Sequence, residues 1–77
     1  MNEAEALELV NQGISRDPRN VHFLDTRGTI LLNMADRLGD AKKDFETVLQ
    51  ETPATDRVRQ AKTHLQLGRV CAKLDDP

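Results

Sequence analysis

The 77-residue sequence predicts an all-α fold of four helices joined by short turns. Along most of the chain, apolar residues recur at the steps of three and four that a helix requires, and no stretch shows the alternation typical of strands. Pro18 and Pro53 stand 35 residues apart, each just after such a stretch. Because proline disfavours helix at the preceding residue, the two prolines mark turns and indicate a helical hairpin that recurs.

The first two helices are predicted over residues 3–16 and 21–34. The apolar face of the first consists of Ala6, Leu7, Val10, Gly13 and Ile14. The apolar positions of the second include Phe23, Leu24, Ile30, Leu31 and Met34. Asn20 is placed to cap the second helix through its side-chain oxygen. Gly28 lies in the middle of that helix, where glycine costs roughly 1 kcal/mol relative to alanine, so we expect a neighbouring helix to approach closely there.

The third helix is predicted over residues 37–50, but the position of the turn before it is open. In one interpretation, Asp36 caps a helix that continues from Arg37 through Gly39. In the other, Gly39 ends one helix and Asp40 caps the next. The first is favoured because one apolar stripe runs through the segment at steps of three, four and three, formed by Leu38, Ala41, Phe45 and Val48.

The fourth helix is predicted over residues 56–74, capped by Thr55 or Asp56, and is longer than the others. One apolar line along it consists of Val58, Ala61, Leu65, Gly68 and Ala72. The residues that flank this line are Leu67, Val70, Cys71 and Leu74. The segment Asp75–Pro77 then forms a natural helix stop.

The composition predicts one small domain without a membrane segment. The chain is 31% charged, with a formal net charge of -2 and the two signs interspersed, so no large field favours nucleic acid or an anionic membrane. The acidic start, Met1–Glu5, does not resemble a signal peptide, and no run approaches the roughly 18 apolar residues of a membrane span. A single cysteine excludes an internal disulfide and fits a reducing compartment. We therefore expect a cytoplasmic protein.

Neither a metal site nor an active site is predicted. The soft metal ligands are His22, His64 and Cys71. A zinc site usually needs three or four ligands, so we expect no metal or cofactor. Acid–base pairs could be drawn between Asp44 and Glu46, or between Asp25 and His22. No nucleophile motif or glycine-rich phosphate loop supports them, so the protein is not expected to be an enzyme.

The order of small and large residues resembles the tetratricopeptide repeat, which has a period of about 34 residues. The start of the chain resembles the second helix of a repeat at Ala6, Val10, Gly13 and Pro18. The next predicted helix resembles the first helix of the following repeat at Leu24, Gly28 and Leu31. The third resembles the second helix of that repeat at Ala41, Phe45, Val48 and Pro53. The last resembles the first helix of a third repeat at Leu67, Gly68 and Cys71. The chain departs from the family pattern at Leu31, where an aromatic residue is usual, and in the residues inserted before Ala61.

The resemblance implies a short right-handed solenoid of antiparallel hairpins, with one complete repeat between two half repeats. It also implies a scaffold that binds a partner protein or peptide on its concave face. The residues expected on that face are His22, Asp25, Thr26, Thr29, Asn33, Lys62, Leu65, Gln66, Arg69 and Lys73. Each of these residues could instead be part of a solvated helix surface. Some family members hold a C-terminal carboxylate at such positions, but acidic Asp25 disfavours that ligand here.

Two alternative functions stay open. The basic last helix could bind nucleic acid through Arg57, Arg59, Lys62, Arg69 and Lys73. The absence of stacking aromatics and the negative net charge disfavour this function. The chain could also be a purely structural fragment of a longer array.

The half repeats predict apolar surface exposed on the first and last helices. We therefore expect self-association, in which residues 3–16 of one copy complete the repeat begun by residues 57–74 of another. If Leu67 and Val70 face the partner copy, replacing either with Asp should loosen the assembly.

Overall fold

The computed structural model describes residues 2–74, and within them it contains four α-helices and no strand. The helices are α1 (Glu3–Arg16), α2 (Val21–Leu32), α3 (Leu38–Glu51) and α4 (Arg57–Lys73). The predicted all-α class and the number of helices are confirmed. The expected helix stop at Asp75–Pro77 lies outside the described residues. Each of the four helices described is too short or too polar to span a bilayer.

The first two helices begin where their caps place them. The Asn2 side chain accepts a hydrogen bond from the Glu5 amide at 2.8 Å. The Asn20 side chain, as predicted, accepts from the amides of His22 and Phe23 at 2.9 and 3.3 Å. The second helix ends two residues earlier than predicted, because the amides of Asn33 and Met34 bond to carbonyls only three residues back. Such bonds tighten and terminate a last turn.

The turn before α3 differs from the prediction in its cap. Asp36 was expected to cap this helix, but the N-cap residue is Arg37, which makes no side-chain capping bond. The Arg37 side chain instead reaches forward, and its Nε lies 2.8 Å from Asp40 Oδ2 in the first turn. A single helix through Gly39 is confirmed. For α4 the cap is Asp56, which accepts from the Arg59 amide at 3.1 Å.

The helices pack mainly against their neighbours in the chain. α2 packs between α1 and α3, while α4 packs on α3 and also touches α2. The four-helix array is flat, with principal extents of 31, 31 and 17 Å. α1 and α4 therefore lie at opposite ends of the array.

The core is centred on α3. Its predicted apolar stripe is wholly buried, and the central cluster consists of Leu31, Leu32, Leu38, Ala41, Phe45 and Val70. A Cβ built on Gly28 would lie 2.8 Å from the Phe45 ring, which confirms the expected close approach of a neighbouring helix.

The predicted apolar line of α4 faces away from this core. Val58 and Leu65 are 67% and 58% exposed, whereas Thr63 and Val70 are 1% and 0% exposed. The expectation that Leu67 and Val70 face a partner copy is wrong, because Val70 belongs to the core and Leu67 packs against it. At about 100° per residue, Val70 falls on the same side of the helix as Thr63 and opposite Leu65.

Candidate functional site

α2 and α4 lie side by side, with a small cavity at each end of the pair. At the start of α4, Arg59 Nη2 lies 3.0 Å from His22 Nδ1, and Arg59 Nη1 lies 3.8 Å from Asp25 Oδ2. At the other end of α4, Lys73 lines a cavity together with Leu32 and Asn33 from the end of α2. The two helices therefore run in the same direction. We call the surface between these two contacts the α2–α4 groove.

The groove is shallow at both ends. Near the starts of the helices, a cavity of about 140 Å³ is lined by Asp25, Asp56, Val58, Arg59, Lys62 and Thr63. Near their ends, a cavity of about 230 Å³ is lined by Leu32, Asn33, Ala35, Leu38 and Lys73. Pockets for small molecules usually measure about 300–1,000 Å³. The shape therefore suits an extended chain lying across the surface better than an enclosed small molecule.

Several of the residues predicted for the concave face are brought together here. Asp25 and Lys62 line the first cavity, and Asn33 and Lys73 line the second. Thr29 lies one turn from both Asp25 and Asn33, and it lines with Asn33 a depression of about 200 Å³ beside the first residues of α1. The predicted set is therefore spread over two adjoining surfaces.

The remaining predicted residues surround the groove. Leu65 lies on the exposed line of α4, next to rather than inside the cavities. Gln66 Oε1 accepts a hydrogen bond from Arg69 Nη1 at 3.2 Å. The hydroxyl of Thr26 donates to the His22 carbonyl oxygen at 2.8 Å, within its own helix. Thr26 is exposed and Gln66 is half-buried, and neither lines a cavity of the groove.

Arg59 has a positioning role that the sequence did not indicate. It was predicted only as one cation of a basic surface, yet its side chain is 21% exposed and reaches α2. Asp25 and Asp56, at 3.8 and 3.9 Å, partly offset its charge. The spacing of Asp56 and Arg59 signals a local pair, but only the packing of α4 beside α2 brings in Asp25 and His22.

A second cluster of polar side chains, which was not predicted from the sequence, joins three helices. Arg27 donates from Nε and Nη2 to the two carboxylate oxygens of Asp44, both at 2.8 Å, and from Nη1 to Asn11 Oδ1 at 2.9 Å. Asp44 is 6% exposed. The hydrogen bond from Arg27 to Asp44 raises the pKa of the Arg27 guanidinium above its ordinary value. Bidentate geometry of this kind makes strong, directional pairs.

The cleft above this pair is a weaker candidate for a binding site. It measures about 330 Å³ and is lined by Leu7, Asn11, Arg27, Leu31, Arg37, Asp40, Lys43 and Asp44. Arg27 and Asp44 already satisfy each other at its floor. A polar ligand would have to compete with that ion pair for its hydrogen bonds. We therefore expect the cleft to bind a ligand more weakly than the open groove does.

No grouping of the described side chains suggests a metal centre. Across residues 2–74, no three or more His, Cys, Asp or Glu residues come together as a potential ligand set. Cys71 is partly buried and is not in a disulfide.

No protein-family model matches this sequence, and neither a curated protein nor a solved structure matches it significantly.

Proposed function

We propose that this chain is a helical-repeat module of the tetratricopeptide type, which binds an extended acidic segment of a partner protein along the α2–α4 groove. The observation that carries the proposal is the parallel placement of α2 and α4, with corresponding ends together. Tandem helical hairpins produce this placement, because each first helix stacks beside the first helix of the next repeat.

The helix packing supports a repeat architecture. A Cβ on Gly13 of α1 would lie 3.1 Å from the Phe23 ring of α2, and a Cβ on Gly28 of α2 would lie 2.8 Å from the Phe45 ring of α3. The pairs α1–α2 and α2–α3 thus each nest an aromatic ring against a glycine. Contacts are concentrated between neighbouring helices, as in quasi-one-dimensional repeat proteins.

The length of the groove sets the length of the segment it can hold. Arg59 and Lys73 are separated by about four helical turns, or roughly 21 Å at 1.5 Å per residue. An extended chain advances about 3.3–3.6 Å per residue, so about six residues span the groove.

The charge of the groove favours an acidic ligand. α4 carries Lys and Arg at five positions and no Asp or Glu. At the start of the groove, the charges of Asp25 and Asp56 are balanced by Arg59 and Lys62, so the net positive charge lies further along α4, at Arg69 and Lys73. Complementary charge speeds association and discriminates between partners, so acidic segments should be preferred over neutral or basic ones.

Fluorescence anisotropy with labelled six-residue peptides tests this proposal. We expect an Asp/Glu-rich peptide to bind more tightly than neutral or Lys-rich peptides, and salt to weaken the binding. The double variant Lys62→Glu/Lys73→Glu should weaken binding at least about tenfold, as expected for two reversed contacts of about 0.7 kcal/mol or more each.

The matched control is Arg16→Glu/Arg19→Glu, which changes the net charge equally but lies at the end of α1 and in the following turn. Equal losses in both double variants would indicate a general charge effect and reject the groove as the binding site. Absence of any preference for the acidic peptide would reject the proposed ligand.

Nucleic acid is a second candidate, because the run of cations on α4 suits phosphates as well as carboxylates. Proteins that bind single strands usually add aromatic side chains on which bases stack. The two aromatic residues of this chain, Phe23 and Phe45, pack against Gly13 and Gly28 instead. A mobility-shift assay with mixed oligonucleotides separates the two candidates, since salt-sensitive binding lost in Lys62→Glu/Lys73→Glu would favour nucleic acid.

A further inference from the structure

The face of α4 that points away from the core carries an uncovered apolar surface. We call it the α4 stripe, and it consists of Val58, Ala61, Leu65, Gly68 and Ala72. All five residues are exposed, with Val58 at 67% and Leu65 at 58%. Their steps of three, four, three and four match the seam along which two helices pack.

Gly68 marks the centre of this surface. The other two glycines in helix interiors, Gly13 and Gly28, have aromatic rings about 3 Å from where a Cβ would lie. Gly68 has nothing within 4 Å. Glycine is unfavourable in a helix interior, and no contact among the described residues of this chain compensates for it at Gly68.

The charged residues beside the α4 stripe indicate what kind of surface packs against it. Leu65 is flanked one turn before and after by Lys62 and Arg69, on the same side of the helix. Two stripes facing each other would therefore bring like charges together. An apolar residue with acidic neighbours would fit instead.

α1 has the required features. Leu9 is 55% exposed, and Glu5 lies one turn before it on the same side of the helix. α1 carries three glutamates and one arginine, against the five cations of α4. α1 and α4 lie at opposite ends of the array, so these two surfaces belong to different faces of one copy.

We infer that the α4 stripe docks α1 of a second copy of this chain, with Leu9 of that copy seated beside Leu65 in the space above Gly68. The contact is heterologous and leaves one free surface at each end of the pair, so it produces open chains or a ring. A single helix–helix contact is small, so the association should be weak and transient. The inference does not depend on peptide binding in the groove.

Sedimentation velocity of the 77-residue chain, from low micromolar to about 1 mM and at low salt, measures this association. We expect the sedimentation coefficient to rise with concentration and to fall when salt is added. Leu65→Asp and Leu9→Asp should each weaken self-association by about tenfold or more, since each places a charge in an apolar contact. Both residues are exposed, so circular dichroism should show an unchanged fold. Gln50→Asp, at an exposed position of α3, is the matched control and should associate like the original chain.

Mixing the two variants tests the head-to-tail arrangement. Leu65→Asp retains an intact α1, and Leu9→Asp retains an intact α4 stripe. Each alone should remain monomeric, while an equimolar mixture should form a dimer and nothing larger.

Three results would overturn the inference. A monomeric wild-type chain at every concentration would mean that a different polypeptide covers the stripe. Wild-type-like association of Leu9→Asp would mean that two stripes pair with each other. Failure of the mixture to dimerise would mean that the two leucines do not meet. Peptide binding is measured separately on Leu9→Asp, whose groove is unaltered, so the two proposals can fail independently.

Discussion

The Phe45 ring of α3 lies against the Gly28 backbone of α2, with Cε1 and Cζ 2.8 Å from the position that a Cβ on residue 28 would occupy. Phe45 is fully buried, as is Ala41 one turn earlier on α3. Real Cβ atoms do not approach a ring this closely. Glycine at position 28 therefore sets the separation of α2 and α3, and through them the position of the groove.

Gly28→Ala should destabilise the fold. The new methyl group must displace the Phe45 ring, and overpacking of this kind costs typically about 1–3 kcal/mol. The gain in helix propensity is only about 1 kcal/mol. We expect a net loss of up to about 2 kcal/mol in the free energy of unfolding, measured by urea denaturation of dilute protein.

Gly68→Ala is the matched control, because nothing lies within 4 Å of its Cβ position, and it should stabilise the chain by up to about 1 kcal/mol. Gly13→Ala, with the Phe23 ring at 3.1 Å, should fall between the two. If Gly28→Ala were as stabilising as Gly68→Ala, the close packing of α2 on α3 would be wrong.

Asp44→Ala should be more harmful than any change at a neighbouring exposed acid. It leaves the Arg27 guanidinium without its bidentate partner in a half-buried position. We expect a loss of about 1–3 kcal/mol in the free energy of unfolding, below the range for fully buried pairs because the Arg27 side chain is 28% exposed. Glu46→Ala, exposed on the same helix, should change it by less than about 0.5 kcal/mol.

A double-mutant cycle with Arg27→Met isolates the interaction between the two side chains. The two losses should be clearly non-additive, because each single change removes the same pair. Additive losses would show that Arg27 and Asp44 do not interact in solution.

The cap of α4 gives a prediction with a neighbouring control. Asp56→Ala removes the acceptor for the Arg59 amide and should lower the free energy of unfolding by about 1 kcal/mol. Thr55→Ala alters the other residue that the sequence allows as a cap and should have little effect. The reverse order of losses in thermal unfolding would place the cap one residue earlier.

The Asp40 carboxyl should titrate at unusually low pH. A hydrogen bond from Arg37, followed by the charge of the same side chain, lowers the pKa of Asp40 below its ordinary value. The pair therefore stabilises the fold above the unfolded-state pKa, near 3.9, and this contribution is lost as the pH falls through the lowered pKa. Carbon-detected NMR titration should show the Asp40 midpoint moving upward in Arg37→Gln. An unchanged midpoint would contradict the pair.

Helix periodicity and local capping chemistry were enough to predict most of the secondary structure. The stripe from Leu38 to Val48 fixes both the extent and the buried face of α3, because its spacing admits only one face. Asn20 caps α2 as expected from its position. These are interactions between residues close in sequence.

Contacts between distant helices were not predictable in the same way. α4 has two apolar faces by composition, and only packing on α3 decides that Val70 is buried while Leu65 is exposed. Likewise, Arg27 and Asp44 are seventeen residues apart, and no local pattern pairs them. The contact of Arg59 with α2, which defines one end of the groove, has the same origin.

Nuclear Overhauser effects in the 77-residue protein test the packing of the array most directly. We expect strong effects between the Gly28 α-protons and the Phe45 ring, and between the Gly13 α-protons and the Phe23 ring. We also expect effects between the Arg59 side chain and His22, which report α4 lying beside α2. Clear glycine–ring effects without any effect between α4 and α2 would show that α4 does not lie beside α2 and that the groove does not exist. Absence of the Gly28–Phe45 effect would contradict the packing of the helical array.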